Sequence, residues 1–291
     1  MNDAVVVRVP ASSANLGAGF DVLGMALDLY LDLGSGECPD GAQSIDRHHP
    51  AAKAFAAASS AVEAPRALWV RSSIPMGRGL GFSGAARVGG AALATIGTSD
   101  DPVAALSDER SAVLDVAVRL ERHGDNAAAS VWGGVVAWVD ARAIPVHVGP
   151  QLAAATVVVW IPDTTTSTDR SRAILPDQIL RGDAVHNLAR VAQLVLAIEH
   201  DDPAQLVGAT DDRLHQTVRL AELPGAAEAL DAGVAAGAWC SWLSGSGPTL
   251  AFLVDASLVD TVSAALPDTG HVKHLRIARS GVHVVAWAES Q

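Results

Sequence analysis

The segment RVPASSANLGAGFDVLGMAL (Arg8–Leu27) decides what fold and chemistry to expect of this chain. Apolar, strand-like segments flank a polar run that reaches Asn15 and continues through Gly17 and Gly19 to Asp21. Glycine allows positive φ and a close approach to a ligand. Asn15 offers a donor and an acceptor, and Asp21 offers a carboxylate. The pattern indicates either a structural glycine turn between two strands or a site for a small polar ligand carrying an ammonium or hydroxyl group.

The composition is that of a globular protein with an acidic surface. Of its residues, 49% are apolar and 18% are charged. A length of 291 residues is enough for one large domain or two. The formal net charge of −12 disfavours nucleic acid and anionic lipid as partners. We therefore expect a small-molecule substrate, with no nucleic-acid and no membrane partner. No leader-like segment and no run near the ~20 apolar residues of a membrane span is visible, so we expect a cytoplasmic protein.

Hydrophobic periodicity predicts a mixed α/β (α+β) chain with two clusters of strands and helices. Strands are predicted at residues 5–9, 25–31, 68–71, 134–139, 155–161, 239–243 and 250–254. Helices are predicted at residues 49–62, 83–96, 102–120 and 183–221, the third of these as one helix or two. The strand at 155–161 is almost entirely apolar and is expected to be central. The softest boundary lies near residues 140–150, and we divide the chain into domains 1–145 and 146–291. Cys38 and Cys240 have no metal-ligand spacing and are expected to be buried or incidental thiols.

Two further glycine motifs are present. IPMGRGLGFSGAA (Ile74–Ala86) places glycines before a predicted helix, an arrangement that points backbone amides and the helix dipole at an anion. It lacks the Gly-Lys-Ser/Thr of a Walker loop and the glycine spacing of a dinucleotide fold. By itself it indicates either a phosphate cradle or a plain turn. SWLSGSGPTLAFLV (Ser241–Val254) is typical of a simple hairpin.

The three motifs in this order resemble the kinase superfamily named for galactokinase, homoserine kinase, mevalonate kinase and phosphomevalonate kinase, and within it the homoserine kinases. VPASSANLGAGFD, GRGLGFSGAA and SGSGPT are similar to its three motifs. LERHGDNAAASVWGG, STDRSRAILP and DRLHQTVR resemble further family segments between them. The resemblance implies two domains, an amino-terminal one like domain 2 of ribosomal protein S5 and a carboxy-terminal ferredoxin-like one, with the active site between them. A homodimer is common in the family.

The resemblance also implies an activity, the phosphorylation of L-homoserine by ATP in threonine biosynthesis, and roles for particular residues. Ser83 and Glu121 would ligate Mg²⁺. The residues implied in ATP binding are Pro75, Gly77, Arg78, Gly79, Leu80, Gly81, Phe82, Ser83, Gly84 and Ala85. The third motif contributes Gly245, Ser246 and Gly247. The residues implied in substrate binding are Asn15, Asp21, His123, Asn126, Thr168, Arg172 and Arg219, and of these Asn126, Arg172 and Arg219 are implied in catalysis.

Each implied role has a chemical reason. The substrate ammonium matches the Asp21 carboxylate, and its carboxylate matches the guanidinium groups of Arg172 and Arg219. Asp125 could take the hydroxyl proton, but the resemblance places the amide of Asn126 at that point. We therefore favour orientation and Mg²⁺ over a dedicated base, because a loose phosphoryl-transfer transition state demands little of one.

The chain departs from the family pattern at several positions. Phe82 stands where the family has serine, Gly84 replaces an alanine, Arg122 and Gly124 replace a glycine and a proline, and Thr217 replaces a proline. Two other functions are therefore considered. One is a related kinase for another small hydroxy metabolite, such as threonine. The other is a nucleotide- or amino-acid-binding protein without catalysis, for which Phe82 is the only argument.

Overall fold

The computed structural model describes residues 5–59, 67–97 and 99–285 and contains two antiparallel sheets. The strands within these ranges are β1 (Val6–Ala14), β2 (Leu23–Ser35), β3 (Gln43–Ile45), β4 (Leu68–Ser72), β5 (Val135–Val139), β6 (Arg142–Val146), β7 (Thr156–Ile161), β8 (Cys240–Leu243), β9 (Leu250–Val254), β10 (His271–Leu275) and β11 (His283–Val285). The α-helices in these ranges are α1 (Pro50–Ala58), α2 (Phe82–Ile96), α3 (Pro102–Asp108), α4 (Arg110–Glu121), α5 (Asp125–Trp132), α6 (Pro150–Ala154), α7 (Thr168–Ala173), α8 (Arg181–Glu199), α9 (Gln216–Leu220), α10 (Ala226–Ala235) and α11 (Val259–Ala264). Short 3₁₀ helices cover Pro203–Leu206 and Ala256–Leu258.

The first sheet is built on the long β1–β2 pair. Its order is β11-β1-β2-β4-β3, and β5 extends it by pairing with both β2 and β6. The register of β1 against β2 shifts between Pro10 and Ala11. Helices α2 and α5 pack on β1 and β2, and α1 and α4 pack against α2. Alanine and glycine fill the buried face of α2, which lets these layers approach closely.

The second sheet has the order β10-β7-β9-β8. All six residues of β7 are buried, which confirms the central strand expected at 155–161. Helices α10 and α11 pack on this sheet around the fully buried Phe252. The chain then returns to the first sheet, where β11 pairs with β1. The division proposed after residue 145 falls near the end of β6.

The predicted elements and the structure differ in informative places. The helix predicted from residue 49 begins at Pro50, with His49 as its N-cap, and residues 60–62 lie outside the described ranges. The region 183–221, where a helical pattern is predicted, contains most of α8, a 3₁₀ helix and α9, with breaks between them. Helix α8 ends at Glu199, and Asp202 then caps a new 3₁₀ turn that begins with Pro203, whose ring cannot continue an α-helix.

Two other expectations concern membrane spans and cysteines. Within the described residues, no helix combines the length and apolar character needed to cross a lipid bilayer. Cys240 is buried in β8 and Cys38 is partly exposed; both are free thiols. Burial raises the pKa of the Cys240 thiol to about 12, so this thiol stays protonated at neutral pH.

Candidate active site

The loop after β1 is held in a strained conformation by its own side chains. Asn15 and Asp21 both adopt positive φ, at 72° and 58°. The Asn15 side chain donates from Nδ2 to the Gly245 carbonyl (2.8 Å) and accepts at Oδ1 from the Asp21 amide (3.0 Å). Asn15 therefore joins the first motif to the third. Gly17 serves packing, because a Cβ at this position would lie 2.1 Å from the Thr210 carbonyl oxygen.

Three charged residues predicted to bind substrate meet beside this loop. Arg172 donates to both carboxylate oxygens of Asp21, at 2.9 and 2.5 Å. Arg219 is almost fully buried and donates to the carbonyls of Ser171 and Gly245, both at 3.2 Å. Burial, reinforced by the nearby Arg172 charge, lowers the pKa of Arg219 to about 10, which still leaves it charged at neutral pH.

An aromatic ring supports both guanidinium groups. Phe20 lies under Arg172 and Arg219, with 5.8 and 5.2 Å from its ring centroid to the Cζ atoms. It also stacks on His215, with the centroids 4.9 Å apart. Cation–π contacts of this kind favour a fixed guanidinium orientation. Phe20 is thus a positioning residue.

His215 fixes the orientation of Arg219 from below. Its Nδ1 lies 3.1 Å from an Arg219 terminal nitrogen, and its Nε2 lies 2.9 Å from the Gly17 carbonyl. A guanidinium can only donate, so Nδ1 accepts and the ring proton sits on Nε2. Burial is the main cause that lowers the pKa of His215, consistent with this neutral tautomer.

The second motif forms the turn that leads into α2. Gly77, Gly79 and Gly81 all have φ between 66° and 77°. A Cβ on Gly79 would lie 2.4 Å from the Ser244 carbonyl, and one on Gly81 would lie 2.1 Å from Ser12 Oγ. Larger residues would therefore collide with the neighbouring motifs. Helix α2 has no side-chain N-cap, so its first amides remain for an anion.

The predicted metal ligands lie together, but with an unpredicted cation. Ser83 Oγ and Glu121 Oε2 are 3.2 Å apart. Arg87, one turn further along α2, forms an ion pair with Glu121 and donates to Ser83. Mg²⁺ typically takes one or two protein carboxylates and completes its shell with water and phosphate oxygens. The hydroxyl and carboxylate therefore fit the protein's share of such a shell. The described residues contain no larger His, Cys, Asp and Glu cluster for a metal.

The residues after α4 connect this pair to the rest of the cleft. His123 lies between Glu121 and Asp125, with its ring nitrogens 3.8 and 3.3 Å from their carboxylates. Asp125 is buried, and its carboxylate accepts a hydrogen bond from the backbone N–H of Asn126 at 2.8 Å. Asn126 accepts at Oδ1 from Ser12 Oγ at 2.9 Å, so a ligand would meet its amide nitrogen, which is a donor.

The third motif is a turn between β8 and β9 that packs against the glycine turn at residues 77–81. Ser244 donates to the Gly79 carbonyl at 2.7 Å. Thr166 donates to the Gly247 carbonyl at 2.5 Å, and Thr168 lies 3.4 Å from the Ser246 hydroxyl. The hairpin interpretation of this segment is correct, and the hairpin also forms part of the cleft.

Most residues predicted for the site line this one cleft. Those that line it are Asn15, Asp21, Pro75, Gly77, Arg78, Gly79, Leu80, Gly81, Phe82, Ser83, Glu121, His123, Asn126, Thr168, Arg172, Arg219, Gly245 and Ser246. Gly84 and Ala85 are buried in the first turn of α2, and Gly247 is buried in the turn between β8 and β9. These three do not line the cleft.

Two departures from the family pattern, Phe82 and Gly124, each lie against a ring of another segment of the chain. The Phe82 ring packs edge-to-face on His49, with centroids 5.9 Å apart, and it is partly buried beside the glycine turn at residues 77–81. A Cβ on Gly124 would lie 2.2 Å from the Trp138 indole, which leaves no room for a proline there.

Sequence reasoning missed several residues of the site. Phe20 lies inside the first motif, but an aromatic residue there does not by itself indicate contact with the arginines. Thr166 precedes the family-like segment STDRSRAILP, and Ser12 lies within the polar run of the first motif. Arg87 carried a usable signal, because it follows Ser83 at helical i, i+4 spacing.

The chain resembles known proteins along its whole length. The sequence model of the GHMP kinases N terminal domain matches residues 47–134, and that of the GHMP kinases C terminal domain matches residues 188–272. GHMP stands for galactokinase, homoserine kinase, mevalonate kinase and phosphomevalonate kinase. These matches and the two-domain fold show that the chain is a GHMP kinase.

Individual relatives narrow the class. Homoserine kinase from Desulfitobacterium hafniense is 38% identical over 91% of this chain and 92% of its own length. Homoserine kinase from Cutibacterium acnes is 35% identical over 97% of this chain and 99% of its own length. The crystal structure of homoserine kinase from Cytophaga hutchinsonii shares the fold, with a TM-score of 0.81 and 22% identity over 98% of both chains. The chain therefore belongs to the homoserine kinase family of GHMP kinases.

Proposed function

We propose that this enzyme transfers the γ-phosphoryl group of ATP to the hydroxyl of L-homoserine and so forms O-phospho-L-homoserine for threonine biosynthesis. One observation carries the proposal. A single cleft is lined both by a glycine turn at a helix N-terminus and by a carboxylate with two arginines. The first suits phosphate, and the second suits an amino acid zwitterion.

Homoserine would bind through its charged groups. Its carboxylate would take the Arg172 and Arg219 guanidinium groups, and its ammonium would take Asp21. Because Arg219 is buried and fixed by three hydrogen bonds, it provides the rigid part of the pocket. Arg172 and Asp21 are about one-third exposed and can rearrange around the ligand.

ATP phosphates would bind the amides of the turn from Gly77 to Gly81 and of the first residues of α2. The helix dipole adds favourable potential at that point. Ser83 and Glu121 would hold Mg²⁺ once Arg87 moves away. The metal, when bound, neutralises phosphate charge and fixes the transferring group.

Asn126 would orient the acceptor hydroxyl from its amide nitrogen. We propose that no dedicated base is needed and that the hydroxyl proton passes to the γ-phosphate or to water. The Asp125 carboxylate already accepts a hydrogen bond from the backbone N–H of Asn126, and it faces His123. If it served as the base instead, Asp125→Asn would abolish turnover while leaving homoserine binding intact.

A coupled ADP-release assay with Mg²⁺–ATP tests the proposal on L-homoserine, L-threonine, L-serine and a no-acceptor control. We expect ADP release only with L-homoserine, together with a phosphomonoester product in ³¹P NMR. Preferred turnover of threonine would replace the substrate. ATP binding without turnover of any acceptor would contradict the kinase function.

We also propose a cytoplasmic homodimer. Val185, Leu188 and Leu196 lie on one side of α8 and are 58%, 71% and 54% exposed, an apolar stripe that a second copy of the chain would cover. Sedimentation should give a dimer mass, and Leu188→Glu should shift it to the monomer. A monomeric wild type would contradict this proposal.

A further inference from the structure

The ion pair between Arg87 and Glu121 places a built-in cation on the proposed metal ligands. Ser83 and Arg87 are one helical turn apart on α2, so their side chains share a face. Glu121 ends α4, which packs against α2. The packing of this helix pair places the guanidinium against Ser83 Oγ and Glu121 Oε2, the oxygens proposed to bind the metal. Arg87 and Glu121 are only 19% and 10% exposed, so solvent screens this contact weakly.

The position of Arg87 is also unfavourable for a lone cation. Arg87 is largely buried, and burying a charge without a partner is costly. The Glu121 carboxylate provides that partner, and His123 Nε2 lies 3.8 Å from the same carboxylate. Because a guanidinium stays protonated in proteins, Arg87 is a permanent positive charge beside the proposed metal ligands.

We infer that Arg87 competes with Mg²⁺ for Ser83 and Glu121 and thereby weakens the metal affinity of the enzyme. This inference rests on the proposed function for the identity of the metal ligands. The guanidinium contacts Glu121 Oε2, the carboxylate oxygen that lies beside Ser83 Oγ, so a dication held by both Ser83 and Glu121 would meet the guanidinium there. Metal binding must include displacement of Arg87, and the free energy of that ion pair is subtracted from the free energy of metal binding.

The test is a titration of the nucleotide-free enzyme with Mn²⁺, followed by EPR of the free ion. Arg87→Gln removes the charge and keeps most of the side-chain bulk, and Arg87→Ala provides a second variant. We expect the Mn²⁺ dissociation constant to fall about tenfold or more in both, as for loss of a charge-assisted contact. Glu121→Gln added to Arg87→Gln should reverse the gain.

Arg119→Ala is the matched control. It removes the same charge from an exposed position two residues before Glu121 on the same helix, and the Mn²⁺ affinity should stay near wild type. An unchanged or weaker Mn²⁺ affinity in the Arg87 variants would overturn the inference. An equal gain in Arg119→Ala would also overturn it, since net charge alone would then explain the effect. Failure of the proposed function would appear separately, as absence of ADP release with L-homoserine.

Discussion

Asp21 and Arg172 form an ion pair with two hydrogen bonds in the cleft. Asp21 is proposed to bind the ammonium of the substrate, and Arg172 is proposed to bind its carboxylate. The pair joins the first-motif loop to α7 at 2.9 and 2.5 Å. An incoming zwitterion would insert between these groups and exchange one internal pair for two external ones. The ammonium and carboxylate of the substrate would thus replace contacts that Asp21 and Arg172 already make with each other, so the affinity depends on a small difference between similar contacts.

Asp21→Asn should raise the KM for homoserine about tenfold or more, because a charge-assisted contact is worth roughly 1.5–3 kcal/mol. The KM for ATP should change little, since Asp21 does not contact the phosphate turn. Steady-state kinetics with each substrate varied in turn measures both values. An unchanged homoserine KM in a folded variant would mean that Asp21 only holds Arg172 in place.

Arg219→Lys should lower kcat/KM for homoserine by about tenfold or more, because an ammonium cannot reproduce a planar fork with several fixed donors. Arg172→Lys should act in the same direction. Arg170→Lys is the control, since Arg170 is 77% exposed and pairs with Glu222 outside the proposed substrate contacts. Wild-type kinetics in Arg219→Lys would remove this residue from the substrate site.

Phe82→Ser should leave ATP affinity unchanged or improve it, because serine adds a donor beside the phosphate turn. The same change should lower thermal stability, because the edge-to-face contact with His49, worth about 0.5–1.5 kcal/mol, is lost. Titration with a non-hydrolysable ATP analogue and thermal unfolding measure the two effects. Phe82→Ala separates loss of the ring from gain of the hydroxyl. Weaker ATP binding in Phe82→Ser would show that the ring supports the nucleotide.

Arg122→Gly should raise the free energy of unfolding by about 0.5–1 kcal/mol, because Arg122 is the C-cap of α4 with φ of 70°, a conformation that glycine adopts without strain. Urea unfolding gives the value. Arg119→Gly, in the last turn of the same helix, should have the opposite sign, since glycine lowers helix stability there. A loss of stability in Arg122→Gly would mean that the Arg122 side chain makes a larger contribution than the backbone strain.

Acid should destabilise the protein partly through His215. Burial lowers the pKa of His215 in the folded state, so the unfolded chain binds a proton first as the pH falls below about 6.5. The free energy of unfolding should therefore decrease from about pH 6.5 down to the lowered folded-state pKa. His215→Gln should show a smaller decrease over this range. An NMR titration of the His215 ring provides a direct check, and a normal pKa would contradict the argument.

The sequence predicted the local features well where one physical rule dominates. The buried run of β7 and the glycine-led start of α2 follow from apolar continuity and from the turn. The family resemblance assigns Asp21, Arg172 and Arg219 to one substrate site, and in the structure these three residues line one cleft.

What escaped prediction depends on contacts between distant segments. The Arg87–Glu121 pair arises only because α2 packs on α4. Glycine rather than proline is required at position 124 because the Trp138 indole of β5 occupies the space beside it. The helical pattern over 183–221 does not by itself show where α8 ends, because apolar residues continue beyond Glu199, whereas Pro203 begins a separate 3₁₀ turn.

The return of β11 to the first sheet has a consequence for synthesis of the protein. Residues Val6–Arg8 pair with Val285–His283, which are the last strand of the described chain. During translation the outer edge of β1 therefore stays open until the residues of β11 have been synthesised. We expect amino-terminal fragments that stop after β6 to expose this edge and to self-associate.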